Sequence, residues 1–167
     1  MAPLTAARLE TARQRWEAQG SDFYRLVVRV RPPRAKPTVY AVEVARGAVV
    51  KIERDGQSVA PEDAEHSDYS VPGLFELLRQ DLRWNAVDPV GNVPAIDLRA
   101  YFEPGTGRLV RYRRTVGTGR RRVLMVEVLA YEPSPSLHAG AVRLTSSRRG
   151  GAWRALPLAR LCAWPPG

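Results

Sequence analysis

The chain has 167 residues, with 26 Lys plus Arg against 17 Asp plus Glu, a net charge of +9, one Cys and two His. That length suits one compact domain, or two very small ones, able to bury most of its apolar surface without staples. A lone Cys162 closes no internal disulfide, and His66 and His138 lie too far apart for the usual zinc spacings. No stretch approaches the roughly 18 apolar residues of a membrane span, and Met1 to Leu4 does not begin a leader, so a soluble chain is expected.

Residues 4 to 19 read as a helix: Thr5 is placed to cap it, Leu9, Ala12 and Trp16 share one side, and Gly20 stops it. From Phe23 to Arg31 the period changes to two, setting Tyr24, Leu26, Val28 and Val30 against Arg25, Val27, Arg29 and Arg31. This pattern predicts a strand with one dry face. Strands through Val39 to Ala45 and Val49 to Arg54, joined at Arg46-Gly47, complete a three-stranded meander that ends at Asp55-Gly56.

Residues 57 to 69 read as a polar loop. Ser70 then caps a second helix with Pro72 in its first turn and an apolar stripe of Val71, Phe75, Leu78 and Leu82. After a second loop come strands at Leu98 to Glu103, Leu109 to Val116 and Val123 to Tyr131, separated by glycine-containing turns. The last strand is apolar on both sides, which argues for a central place in the sheet.

The expected fold class is therefore α+β: helix, three strands, helix, three strands, an antiparallel sheet with two helices packed on one face. Residues 1 to 132 would form one domain, and 133 to 167 a basic tail holding Trp153 and Trp164. Segments 4 to 56 and 70 to 132 read as one αβββ unit used twice; without residue-level identity, divergent repeat and coincidence both stay open.

Trp16, Gly20 and Tyr24, then Tyr69-Ser70-Val71-Pro72-Gly73-Leu74-Phe75, then Tyr101-Phe102-Glu103-Pro104-Gly105-Thr106-Gly107 resemble a family of small bacterial secreted proteins and lipoproteins, catalogued as domain of unknown function six-one-seven-four. The resemblance spans about residues 13 to 116. It implies an exported, envelope-associated, non-catalytic protein and assigns no mechanism. The chain departs from the family's pattern at Val30-Arg31-Pro32, where a Cys pair is frequent, at Glu103, where the turn carries another acid, and at Leu109, where a Pro is usual.

Charge is distributed unevenly. Residues 1 to 103 carry 14 basic and 15 acidic side chains, whereas 104 to 167 carry 12 Arg and 2 Glu. Such asymmetry points to an anionic partner. Arginines fall on the polar sides of strands: Arg25, Arg29 and Arg31 on the first, Arg99 with Tyr101 on the fourth, Arg111 and Arg113 on the fifth, with Arg120, Arg121 and Arg122 extending the set at one edge. If these strands share an open face, guanidinium groups and a tyrosine ring meet on one surface. Long Arg side chains also simply cover solvent faces of antiparallel sheets.

Chemistry beyond binding has little support. There is no Gly-x-Ser-x-Gly elbow, and the acidic loop from Glu62 to Asp68 with His66 lacks the glycine and spacing of a calcium site. Gly105-Thr106-Gly107 and Gly117-Thr118-Gly119 join strands, where a phosphate loop would open a helix. No enzyme, metal or cofactor is expected. The leading expectation is an envelope interaction module contacting a protein partner or an anionic surface through its sheet and basic C-terminal third, with Trp153 and Trp164 as apolar anchors. An arginine-based nucleic-acid-binding protein in the cytoplasm is the alternative.

Overall fold

Alternating apolar and charged side chains give most of these strands two unlike faces, and the fold is organised around that division. A computed structural model of the chain describes residues 1–60, 69–86, 96–117 and 122–134. Its elements are β1 (Ala2–Pro3), α1 (Ala6–Gln19), β2 (Phe23–Arg31), β3 (Thr38–Ala45), β4 (Ala48–Arg54), β5 (Gln57–Val59), α2 (Val71–Ala86), β6 (Ile96–Phe102), β7 (Leu109–Val116) and β8 (Arg122–Pro133). The class is α+β, with eight strands in one antiparallel sheet ordered β1-β6-β7-β8-β2-β3-β4-β5.

Two short strands revise the expected element order. Arg46-Gly47 and Asp55-Gly56 both turn with positive φ, at 54° and 75° and at 49° and 82°. Paired left-handed residues of this kind match the twist of a hairpin. The second turn therefore leads not into a loop but into β5, which pairs with Ile52 to Arg54. Ala2 and Pro3 pair with Ala100 and Arg99 at the other edge. Each strand is too short for a period of two to register in sequence.

The topology also bears on the repeat. β6-β7-β8 and β2-β3-β4 run in the same left-to-right order, but β2 is antiparallel to β8 and thus opposite in direction to β6. With both helices on one face of the sheet, the two αβββ segments have opposite hands, and no rotation superposes them.

The covered face is the core. Tyr24, Leu26, Val28, Val42, Val44, Leu98, Ala100, Tyr112 and Val126 are buried there, together with Leu9, Ala12 and Trp16 of α1 and Val71, Leu74, Phe75 and Leu78 of α2. Thr5 caps α1 by accepting from the Arg8 N–H, as its sequence position predicts. Trp16 presents its ring edge-on to Tyr24 and Tyr131, at centroid distances of 5.5 and 5.9 Å. The start of α2 is fixed twice: Ser70 Oγ accepts from the Gly73 N–H at 3.1 Å, and Tyr24 Oη accepts from the Val71 N–H at 3.0 Å. Further along α2, buried Asp81 accepts from Tyr112 Oη and Arg114 Nη1 of β7, each at 2.5 Å.

Candidate functional site

The opposite face of β6, β7, β8 and β2 carries no helix among the described residues. Pairing across these four strands sets side chains in rows. One row contains Tyr101, Arg111, Glu127 and Arg29; the next contains Arg99, Arg113, Met125 and Arg31. A third, at the β6 start, contains Asp97, Thr115 and Val123. Arg25 lies further along β2, opposite Glu132 and Glu43. The sheet thus brings together Arg25, Arg29, Arg31, Arg99, Tyr101, Arg111 and Arg113.

Carboxylates temper that charge without cancelling it. Glu127 sits between Arg111 at 2.7 Å and Arg29 at 3.8 Å, and Asp97 between Arg99 at 3.0 Å and Arg113 at 3.4 Å. Arg29, Arg31, Arg99, Arg111 and Arg113 are five positive groups facing these two acids, which leaves a formal +3 on this part of the face. Arg99 and Arg113 stand directly opposite each other, a like-charge pairing that costs stability in a sheet and that Asp97 offsets. Toward β4 the balance is neutral: Lys51 lies 2.8 Å from Glu53 and 3.5 Å from Glu43, and Arg25 lies 3.9 Å from Glu53. The hydrogen bond with Glu53 raises the Lys51 pKa and lowers that of Glu53. The positive surplus is therefore localised.

Arg122 does not extend this patch. It pairs with Val116 in the row that includes Ile96, and Leu124 and Val126 alternate with it, so it takes a register position on the helix-bearing side. Strand alternation moves it off the open face. Arg120, Arg121, Trp153 and Trp164 lie outside the described residues, as do the Glu62 to Asp68 loop and Thr118-Gly119.

Sequence reading, which placed Tyr101 beside Arg99, missed the two carboxylates that hold the arginines and the aliphatic members of the face. Tyr101 is 47% exposed, Val123 36% and Leu129 43%. The signal for the aliphatic residues is the second apolar side of β8: it argues for the central place that the strand takes, and the described residues leave that side uncovered.

The Tyr101 to Arg111 hairpin is braced from its turn. The Glu103 carboxylate accepts from the Thr106 N–H at 2.6 Å, the Thr106 hydroxyl at 2.7 Å and the Gly105 N–H at 2.8 Å. These bonds, led by that from the Thr106 backbone, hold its pKa down at about 2. The folded state therefore binds this proton less tightly than the unfolded chain. The bonds stabilise the fold above the ordinary glutamate range, and that contribution is lost as pH falls through about 2. Glu103→Gln is expected to melt lower than the parent at pH 7, with the gap narrowing as both are scanned toward pH 2 by circular dichroism. A gap that stays constant with pH would show that the charge is not what the turn uses.

A cavity of about 440 Å³ lies between the helices, floored by Trp16, Pro72 and Phe75. Four of the charged groups on its rim are paired with each other, Arg13 with Glu17 and Arg79 with Glu76, and Asp22 also lines it. Among the described residues there is no group of His, Cys, Asp and Glu able to hold a metal ion, and no helix long and apolar enough to cross a membrane. No family model, curated protein or solved structure matches the chain.

Proposed function

We propose that this chain is a non-catalytic binding module whose open sheet face contacts a protein partner or an anionic surface. The observation that carries this is the gathering of Arg29, Arg31, Arg99, Arg111 and Arg113 around Tyr101, Met125 and two carboxylates, each shared by two of the arginines, on one surface that the described residues leave uncovered. Arg, Tyr and Met are the residue types that interfaces favour, and Arg makes bidentate contacts with carboxylate or phosphate that Lys does not. The basic C-terminal third, with Trp153 and Trp164, adds charge and apolar anchors to the same reading. An exported, envelope-associated setting rests on the resemblance carried by the Gly73-Leu74-Phe75 helix start and the Glu103-Pro104-Gly105 turn.

A second reading is favoured by Tyr101 alone. Its exposed ring lies beside Arg111 and two residues from Arg99, an arrangement that suits a stacked base with neighbouring phosphates. Fluorescence anisotropy with labelled polyglutamate, heparin and single-stranded oligonucleotide, at low and physiological salt, tests both. The parent chain is expected to bind an acidic polymer, and Arg31→Glu, an exposed position opposite Met125, to weaken that binding severalfold without loss of melting temperature. Equal binding by the charge-reversed variant would remove the open face as the contact surface.

A further inference from the structure

The central strand β8 is apolar on both sides, and among the described residues helices cover only one. Val123, Met125 and Leu129 descend the uncovered side, Val123 and Leu129 among the most exposed large apolar residues of the fold. Glu127 interrupts them, but its charge is taken up by Arg111 and Arg29. Val27 and Ala130, paired in the neighbouring row, widen the strip. Arginines stand on both flanks: Arg111 and Arg113 on β7, Arg29 and Arg31 on β2.

The geometry points to a seat for an amphipathic helix of a partner protein, apolar along one stripe and acidic on both sides of it. This rests on the reading of the open face as a binding surface and names the partner's chemistry. The strip from Val123 to Leu129 runs six residue steps, about 20 Å of strand, which matches about 13 residues of helix. β7 and β2 are the immediate neighbours of β8, so their arginines are separated by two strand spacings, about 9.6 Å. That is close to the roughly 10–12 Å diameter of a helix with its side chains. Acidic residues flanking the apolar stripe would then meet Arg111 and Arg113 on one side and Arg29 and Arg31 on the other. Arg suits this rim, because its stem packs on apolar surface while its planar head pairs with carboxylate. A third layer would also bury the second side of β8, as strands apolar on both sides require.

The test uses the full chain and a labelled peptide of about 14 residues with Leu at helical spacing and Glu on both flanks. Comparators are a scrambled peptide of the same composition, a Lys-flanked version, polyglutamate, oligothymidylate and phosphatidylglycerol-containing vesicles. The Glu-flanked peptide is expected to gain helical circular dichroism on binding and to bind at least roughly tenfold tighter than the scrambled one. Met125→Asp, and separately Leu129→Ser, should remove that advantage at unchanged melting temperature; the second variant serves if the first fails to fold. Equal binding of scrambled and striped peptides would leave a polyanion-binding face and overturn the helix seat. Tighter binding of oligothymidylate or vesicles, insensitive to Leu129→Ser, would overturn it in favour of those partners. Failure of every probe, polyglutamate included, would remove the binding surface as well.

Discussion

Replacing Asp81 by Ala is expected to cost about 3–5 kcal/mol of folding stability, measured by urea unfolding. Asp81 is 2% exposed and holds two groups of β7, the Arg114 guanidinium, whose side chain is only 11% exposed, and the fully buried Tyr112 hydroxyl. Removing the carboxylate leaves a charged group out of water without the acid that neutralises it. The part of the desolvation cost that Asp81 offsets then acts against the fold. A joint replacement, Asp81→Leu with Arg114→Met and Tyr112→Phe, should recover most of the loss, because a buried polar cluster exchanged for apolar groups of similar volume is often close to neutral. If Asp81→Ala unfolds at the parent's urea midpoint, Arg114 reaches water easily and α2 does not depend on this contact.

Asp81 also marks how far the sequence could be read. Leu74, Leu78 and Asp81 follow the i, i+4, i+7 spacing of one helix face, so an acid on that face was visible as a buried charge in need of a partner. The partner was equally visible in β7, where Arg111 and Arg113 alternate with Tyr112 and Arg114 and the second pair must point inward. What local pattern could not supply was the pairing of β8 with β2, about a hundred residues apart in sequence, because no turn fixes that register. The open-face arginines of β2, β6 and β7 were legible from alternation alone. Their gathering into one patch depends on the β8–β2 junction. Whether the second apolar side of β8 is covered depends on what else packs on it, which a period of two does not encode.

Gly107→Ala is expected to be the second large loss, and comparison with Gly47→Ala separates its causes. Both glycines have positive φ, 76° and 75°, so each substitution carries the left-handed penalty of about 1–2 kcal/mol. At Gly47 a methyl group would meet nothing within 4 Å. At Gly107 it would lie 2.1 Å from the Ala12 carbonyl oxygen and 2.9 Å from Arg15 Cβ. The β6–β7 turn is therefore pressed against the backbone of α1, where the Arg15 guanidinium also donates to the Pro104 carbonyl at 3.3 Å. Relieving that overlap should add about 1–3 kcal/mol, and thermal melts of the two variants should differ by that increment. Equal melts would mean that the turn does not rest on the helix. The strands joined by this turn carry Tyr101 and Arg111 on the open face. Moving the turn off α1 shifts those groups relative to β8, so Gly107→Ala should weaken binding of an acidic polymer at temperatures where it is still folded. Gly47→Ala, at the neutral β3–β4 end, should leave that binding intact.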